Sequence, residues 1–271
     1  MRIQPQRPNL SAFTLVELLV VVSVIALLIA ILLPSLRKAR DQAKLVTCGS
    51  QLRQIGIAIH TYAAEADGLI PRGPTPGSPP DFEANDLATN QLWIGAGSPS
   101  SPTQHPRERN GLGPLLSRAA SDPRAYFCPA DDNFNRQEEL PRIGTDDHAY
   151  GSYLYRQLDQ LPAGSVGRLD SLGANRIEHQ TVRVEALALD TNTLGPAEYN
   201  LRHTNHRAFW ANLLFRDTSV ARHRNVDNLF AVPESAFADY SGLPLAIDQV
   251  LINADVACHG DPARAPRIPT P

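Results

Sequence analysis

The chain is 271 residues long, carries a formal net charge of −3 at pH 7, and is 42% hydrophobic and 20% charged. That balance argues against a general nucleic-acid binder, which needs a basic surface. About 200 residues follow the first apolar segment, enough for one domain with its own core.

In chain order, Met1 to Ala12 comes first and carries Arg2 and Arg7 but no acid. Such a leader favours retention on the cytoplasmic side. It is not a conventional secretory signal, because the apolar run follows it and no small-x-small cleavage site comes after the run. Ala12 to Leu33 is almost continuously apolar, with Glu17 as its one acid and Pro34 immediately beyond. The run matches the ~20 residues needed to span a bilayer. An ionised carboxylate near the centre of a membrane helix costs roughly 2.5–3.5 kcal/mol. Glu17 is therefore a functional candidate, and the question is what neutralises it.

The string Ala12-Phe13-Thr14-Leu15-Val16-Glu17 closely resembles the processing site of type IV prepilins and type II secretion pseudopilins. The resemblance implies cleavage by a prepilin peptidase between Ala12 and Phe13 and N-methylation of the new Phe13 amine. It also implies that Glu17 is the assembly acid, which meets the amine of a neighbouring subunit. Breaking a buried pair of this kind costs about 3–5 kcal/mol, so the pair acts as a register device. The family usually has Gly before the cut, and this chain has Ala12. A plain transmembrane anchor would explain the length of the run but not the whole Phe13–Glu17 string. Arg37, Lys38, Arg40 and Lys44 crowd the far end of the run. Charge counting alone thus leaves the orientation open; the processing motif assigns an extracytoplasmic C-terminal part.

Pro34 marks a helix kink, since it removes a backbone donor and crowds the preceding turn. Beyond it, Leu45, Cys48, Leu52, Ile55, Ile59 and Tyr62 are spaced alternately by three and four, which sets them on one helical face. Gln51, Arg53, Gln54 and His60 fall off that face, and His60 reads as a solvated or loop-packing residue. Gly49 and Gly56 each weaken the helix by up to ~1 kcal/mol relative to Ala, so packing must hold it. The predicted organisation is a leader over 1–12, a helix over 13–66 that spans the membrane at about 13–33, and an extracytoplasmic domain over 67–271. At 1.5 Å per residue the helix is a rod of about 80 Å.

Ala39-Arg40, Cys48-Gly49-Ser50-Gln51-Leu52-Arg53-Gln54-Ile55-Gly56, Tyr62, Asp67-Gly68 and Pro71 are similar to the prepilin-like families of planctomycete-type bacteria, with Gln51 where those families have Asn. Phe127-Cys128-Pro129-Ala130-Asp131, Ser152-Tyr153 and Asn212 to Val220 resemble their later segments. Thr218 stands at the turn glycine, and either His203 or His206 stands at the upstream histidine.

Read directly, Tyr150–Tyr155, Thr181–Ala186 and Arg207–Phe215 are strand-like, the second by alternation and the third by continuous apolarity. Asp217-Thr218 fits a hairpin turn less well than Asp-Gly would. Leu245–Ala257 is a candidate short helix. The expected fold is α+β, with an antiparallel sheet laid on the apolar face of the helix, as in pilins. Pro71–Pro80 and Gly95–Pro106 read as loops and Asp261–Pro271 as a Pro-rich tail. No internal repeat is found.

Three cysteines allow three single pairings. Outside the cytoplasm disulfides persist, and Cys48–Cys128 is preferred because it staples the helix to the domain. In the chain-entropy model so long a loop gains on the order of 4 kcal/mol. Three reduced cysteines remain the alternative. Asp131-Asp132-Asn133 and Asp146-Asp147 are acidic turns; some secretion pseudopilins bind calcium through loop oxygens, but no EF-hand spacing is present. No metal or cofactor is otherwise expected. G-x-S-x-G, H-E-x-x-H, P-loop and Cys-x-x-Cys motifs are missing. His203, His206, Asp217 and Ser219 are close in sequence without implying a catalytic triad. The reading is a non-enzymatic structural subunit of a type II secretion or type IV pilus-like system in the bacterial inner membrane. Its expected partners are other pilin subunits, the prepilin peptidase and an assembly platform. The alternative is a membrane-tethered extracytoplasmic binding module that does not polymerise.

Overall fold

The computed structural model describes residues 14–73, 88–95, 107–117, 122–156, 167–170, 172, 184–190, 192–195, 202–237, 243–258 and 260. The chain divides into two compact units, 1–43 and 44–271. The leader, most of the two predicted loops, Thr181–Arg183 and the Pro-rich tail lie outside the described residues.

Helix α1, Leu15–Glu65, is continuous through Pro34. In the first unit every described residue is exposed. The segment is long and apolar enough to cross a membrane. Ser23 and Ser35 donate their hydroxyls to the carbonyls of Val20 and Leu32, both at 2.8 Å, so neither side chain brings an unpaired donor into the apolar stretch.

The second unit begins inside α1, because Leu45, Cys48, Leu52, Ile55 and Ile59 belong to its core and are at most 2% exposed. Tyr62 packs against the same core from a half-buried position. The helix ends in a turn where Asp67 and Gly68 both have positive φ, and the Gly68 N–H bonds the Ala63 carbonyl.

A six-stranded sheet lies under this part of α1. Its strands are β1 (Ala88–Ile94), β2 (Glu108–Arg109), β3 (Ala149–Arg156), β4 (Ala186–Asp190), β7 (Trp210–Phe215) and β8 (Val220–Arg224). They run in the order β2-β1-β3-β4-β7-β8, with every pairing antiparallel. A separate ribbon pairs β5 (Asn192–Leu194) with β6 (Arg202–Thr204). Tyr153, Tyr155 and Leu214 point to the α1 side, where they join Leu52, Ile55 and Ile59. Leu154, Ala211, Leu213 and Phe215 point to the other side. Past the short helix α2, Arg136–Glu139, the chain reaches α3, Leu243–Ala257, which meets them through Ile247, Val250, Leu251 and Ala254. The fold is thus α+β, as expected, with the antiparallel sheet on the second half of the long helix, and a second helix covers the sheet's far face.

Two boundaries differ from the sequence reading. The strand placed over Thr181–Ala186 instead begins at Ala186 and runs to Asp190, fully buried. The Glu185 and Ala186 N–H groups both donate to Asp255 Oδ1 of α3, which ends the ladder there. The strand placed over Arg207–Phe215 starts at Trp210, because His206–Ala208 form a 3₁₀ turn with positive φ at each residue.

Candidate functional site

Two regions carry chemistry. The first is the start of α1. Ala12 and Phe13, the predicted cleavage and methylation residues, lie outside the described residues. Thr14 and Glu17 form a reciprocal capping box. The Thr14 N–H and hydroxyl donate to Glu17 Oε2 at 2.9 and 2.8 Å, and the Glu17 N–H donates to Thr14 Oγ1 at 3.2 Å. The T-x-x-E spacing of this box was present in the sequence, and its capping role went unread there. Glu17 is thus held by its own helix start in the single chain. Its remaining acceptor capacity stays on an exposed, apolar helix surface.

The second region is a polar centre buried between α1 and the sheet. Cys48 of α1 is bonded to Cys128, which follows the 3₁₀ turn Pro123–Tyr126, while Cys258 carries a free thiol. His206 Nε2 lies 3.4 Å from Cys128 Sγ and 3.5 Å from Asp190 Oδ2. Asp190 ends β4 and is fully buried; its Oδ2 accepts from the backbone N–H and the side-chain amide of Asn212 at 2.8 and 3.0 Å. Gln51, placed off the helix's apolar face by its spacing, is a tie rather than a solvated residue. It accepts from the Tyr153 hydroxyl at 2.9 Å and donates to the Arg124 carbonyl at 3.0 Å.

Asp131 stands at the edge of this centre, where its Oδ1 accepts from the Asn133 and Phe134 N–H groups. Burial raises the Asp131 carboxyl to about 6, against the lowering effect of its hydrogen bonds. Asp190 is raised to about 7, first by burial and further by the charge of Asp131, against the two bonds from Asn212. Asp190 Oδ1 and Asn205 Oδ1 are buried with no hydrogen-bond partner. Sequence reasoning missed Asp190, Asn205 and Asn212 as members of this centre. Their one signal, polar residues at the ends or middle of apolar strands, is legible only once the strands are placed.

The other sequence candidates separate. Asp132 accepts from the Thr204 N–H and hydroxyl, and exposed Asp146 pairs with exposed Arg107 at 2.5 Å. Asp147 is exposed in the same turn. Asp217 accepts from the Ser219 N–H and hydroxyl in the β7–β8 turn, whereas His206 sits at Asp190 and Cys128, so these residues do not form one triad. His203 lies on β6. His60 is half-buried, with Nε2 2.7 Å from the Arg216 carbonyl in the β7–β8 turn, so it packs on a loop, as one of its two expected roles had it, and stands apart from this centre.

No curated protein and no solved structure matches the chain. A family model described as the prokaryotic N-terminal methylation motif matches residues 7–33. The chain therefore carries a prepilin-type N-terminal methylation motif, which relates it to the prepilins and pseudopilins.

Proposed function

We propose that the protein is a pilin or pseudopilin subunit of a type II secretion or type IV pilus-like system. A prepilin peptidase removes Met1–Ala12, the new Phe13 amine is methylated, and the mature chain leaves the inner membrane to join a filament. The observation that carries this reading is the methylation motif over 7–33 at the head of a helix whose first half is apolar. In lipid that surface is solvated by acyl chains; in a filament it packs against the helices of other subunits. Glu17 supplies the register. Its carboxylate pairs with the ammonium of a neighbouring Phe13, and a misplaced subunit leaves both charges unpaired in an apolar core. The Thr14 cap holds that carboxylate in a defined rotamer before the partner arrives. The C-terminal domain stands outside the cytoplasm and contributes surface rather than catalysis.

Intact-mass and N-terminal analysis of the membrane-resident protein tests the first half: the expected mature chain begins at N-methyl-Phe13, and Met1 retained on the bulk of the protein overturns the reading. Glu17→Ala tests the second half. Insertion and cleavage are expected to persist while co-assembly with other subunits is lost. Unchanged co-assembly refutes the ammonium pairing, and harmlessness in every assay favours a tethered module that does not polymerise.

A further inference from the structure

We propose that Cys48, Cys128, His206 and Asp190 form a tetrahedral zinc site when the Cys48–Cys128 disulfide is reduced, so that disulfide and metal are alternative occupants of one buried centre. The four residues each offer one donor atom, these atoms all lie within 4.8 Å of one another, and all four groups are buried. Zinc bonds of about 2.3 Å to sulfur and about 2.0–2.2 Å to nitrogen and oxygen place tetrahedral ligands roughly 3.4–3.8 Å apart, the widest being the two sulfurs. The His206 Nε2–Cys128 Sγ separation, 3.4 Å, already has that length, and the same nitrogen lies 3.5 Å from the Asp190 carboxylate at Oδ2, the oxygen next to the unpartnered Oδ1. The donors come from four separate places: α1, the segment after the Pro123–Tyr126 turn, the end of β4 and the turn before β7. Their convergence is a product of the whole fold rather than of a local acidic loop.

An independent observation points the same way. Asp190 Oδ1 is buried without a hydrogen-bond partner, so the carboxylate has acceptor capacity left over in a place that water does not reach. Asn212 holds the other oxygen with its N–H and side-chain amide and also donates to the Leu45 carbonyl, at 3.4 Å. It fixes the carboxylate against α1 in the way that outer hydrogen bonds orient metal ligands. Two thiolates with an imidazole form a soft set that selects zinc over calcium or magnesium.

The chemistry balances simply. A dithiol reductant delivers two electrons and two protons to the disulfide and is itself oxidised to a disulfide. Zn²⁺ then displaces the two thiol protons and binds two thiolates, neutral His206 and ionised Asp190. Reoxidation by a disulfide acceptor removes two electrons from the thiolates, and zinc leaves as its sulfur ligands become a bond. In either state Cys48 remains tied to Cys128, so α1 stays fastened over the sheet. The inference does not depend on filament assembly.

The test uses the full chain in detergent, reduced with a phosphine and titrated with Co²⁺ as the spectroscopic substitute for zinc. The expected result is one equivalent of cobalt bound, with thiolate-to-cobalt charge-transfer and tetrahedral d–d bands that disappear on adding zinc, and no such binding by the disulfide-bonded protein. His206→Ala and Asp190→Asn should each weaken binding about tenfold or more. His206→Cys should retain it with stronger charge-transfer absorption, which separates a lost ligand from a lost fold. Reduced protein that takes up no stoichiometric cobalt overturns the proposal, whether it is folded or unfolded by circular dichroism. So does cobalt binding unchanged in both His206→Ala and Asp190→Asn.

Discussion

Gly56 of α1 lies directly over Leu214 of β7: a Cβ built on the glycine meets Leu214 Cδ1 at 2.8 Å. Seven residues earlier, a Cβ on Gly49 finds its nearest neighbour, Asn212 Oδ1, at 3.5 Å, an ordinary contact. Two glycines on one helix therefore have opposite meanings. Gly49→Ala should raise stability by about 0.5–1 kcal/mol through helix propensity alone. At Gly56 the same gain is set against overpacking of about 1–3 kcal/mol, because Leu214 is fully buried and cannot swing aside freely. Gly56→Ala should lower stability by about 1 kcal/mol. Chemical unfolding of the two variants in parallel checks both signs.

Thr218 is a β-branched residue at φ 67° in the β7–β8 turn. The left-handed region costs a non-glycine residue about 1–2 kcal/mol, and the Asp217 bonds to Ser219 hold the turn in that shape. Glycine removes the steric cost while adding about 0.5–1 kcal/mol of backbone entropy to the unfolded chain. Thr218→Gly should therefore stabilise the domain by about 0.5–1 kcal/mol, seen as a raised unfolding midpoint with an unchanged slope. A lowered midpoint shows that the threonine side chain contributes a contact that outweighs its strain.

The parts of this fold that were legible in the sequence are those with a simple period. Leu45 to Ile59 kept a helical spacing because one face alone is buried, and β3 and the core of β7 carried aromatic or aliphatic runs. The start of β4 was not legible: helices cover both faces of the sheet, so its buried residues do not alternate, and Asp255 on a distant helix decides where pairing stops. α3 was only faintly readable because Asp248, Asn253 and Asp255 are buried within it and break its apolar pattern. The polar centre was legible in fragments. Cys48, Cys128 and His206 could be singled out one at a time, but Asp190 gives no local signal, and only the sheet order brings the four together.

The buried carboxyls of that centre set a pH dependence for the metal-free, disulfide-bonded protein. Asp190 and Asp131 are raised to about 7 and about 6, chiefly by burial, from unfolded values near 4. Between those limits the folded state binds more protons than the unfolded state. The contribution of these two carboxyls to stability is then fully present below pH ~4 and declines as pH rises toward ~7. Asp190→Asn keeps an oxygen for the Asn212 amides and removes the titration, so its unfolding free energy should vary less across that window than that of the parent. An equal or steeper slope in the variant would place the pH dependence elsewhere.

The tie between α3 and the sheet rests on Asp255. Its Oδ2 accepts from Arg156 of β3 at 2.9 Å, and its Oδ1 accepts from the Glu185 and Ala186 N–H groups at 2.9 and 2.8 Å. The Arg156 and Asp255 side chains are 5% and 0% exposed, so neither charge has water to fall back on. Asp255→Ala leaves a buried guanidinium and two backbone donors stranded, a loss of about 3–5 kcal/mol. Replacing both partners, with Arg156→Met in the Asp255→Ala background, removes the stranded charge and should recover part of that loss. A double variant as unstable as the single one would mean that the backbone donors at Glu185 and Ala186, rather than the ion pair, account for the role of Asp255. Hydrogen exchange at those two amides in the single variant distinguishes the cases. Rapid exchange confined to residues 185–186 marks loss of the strand cap, and rapid exchange spread along α3 marks undocking of the whole helix.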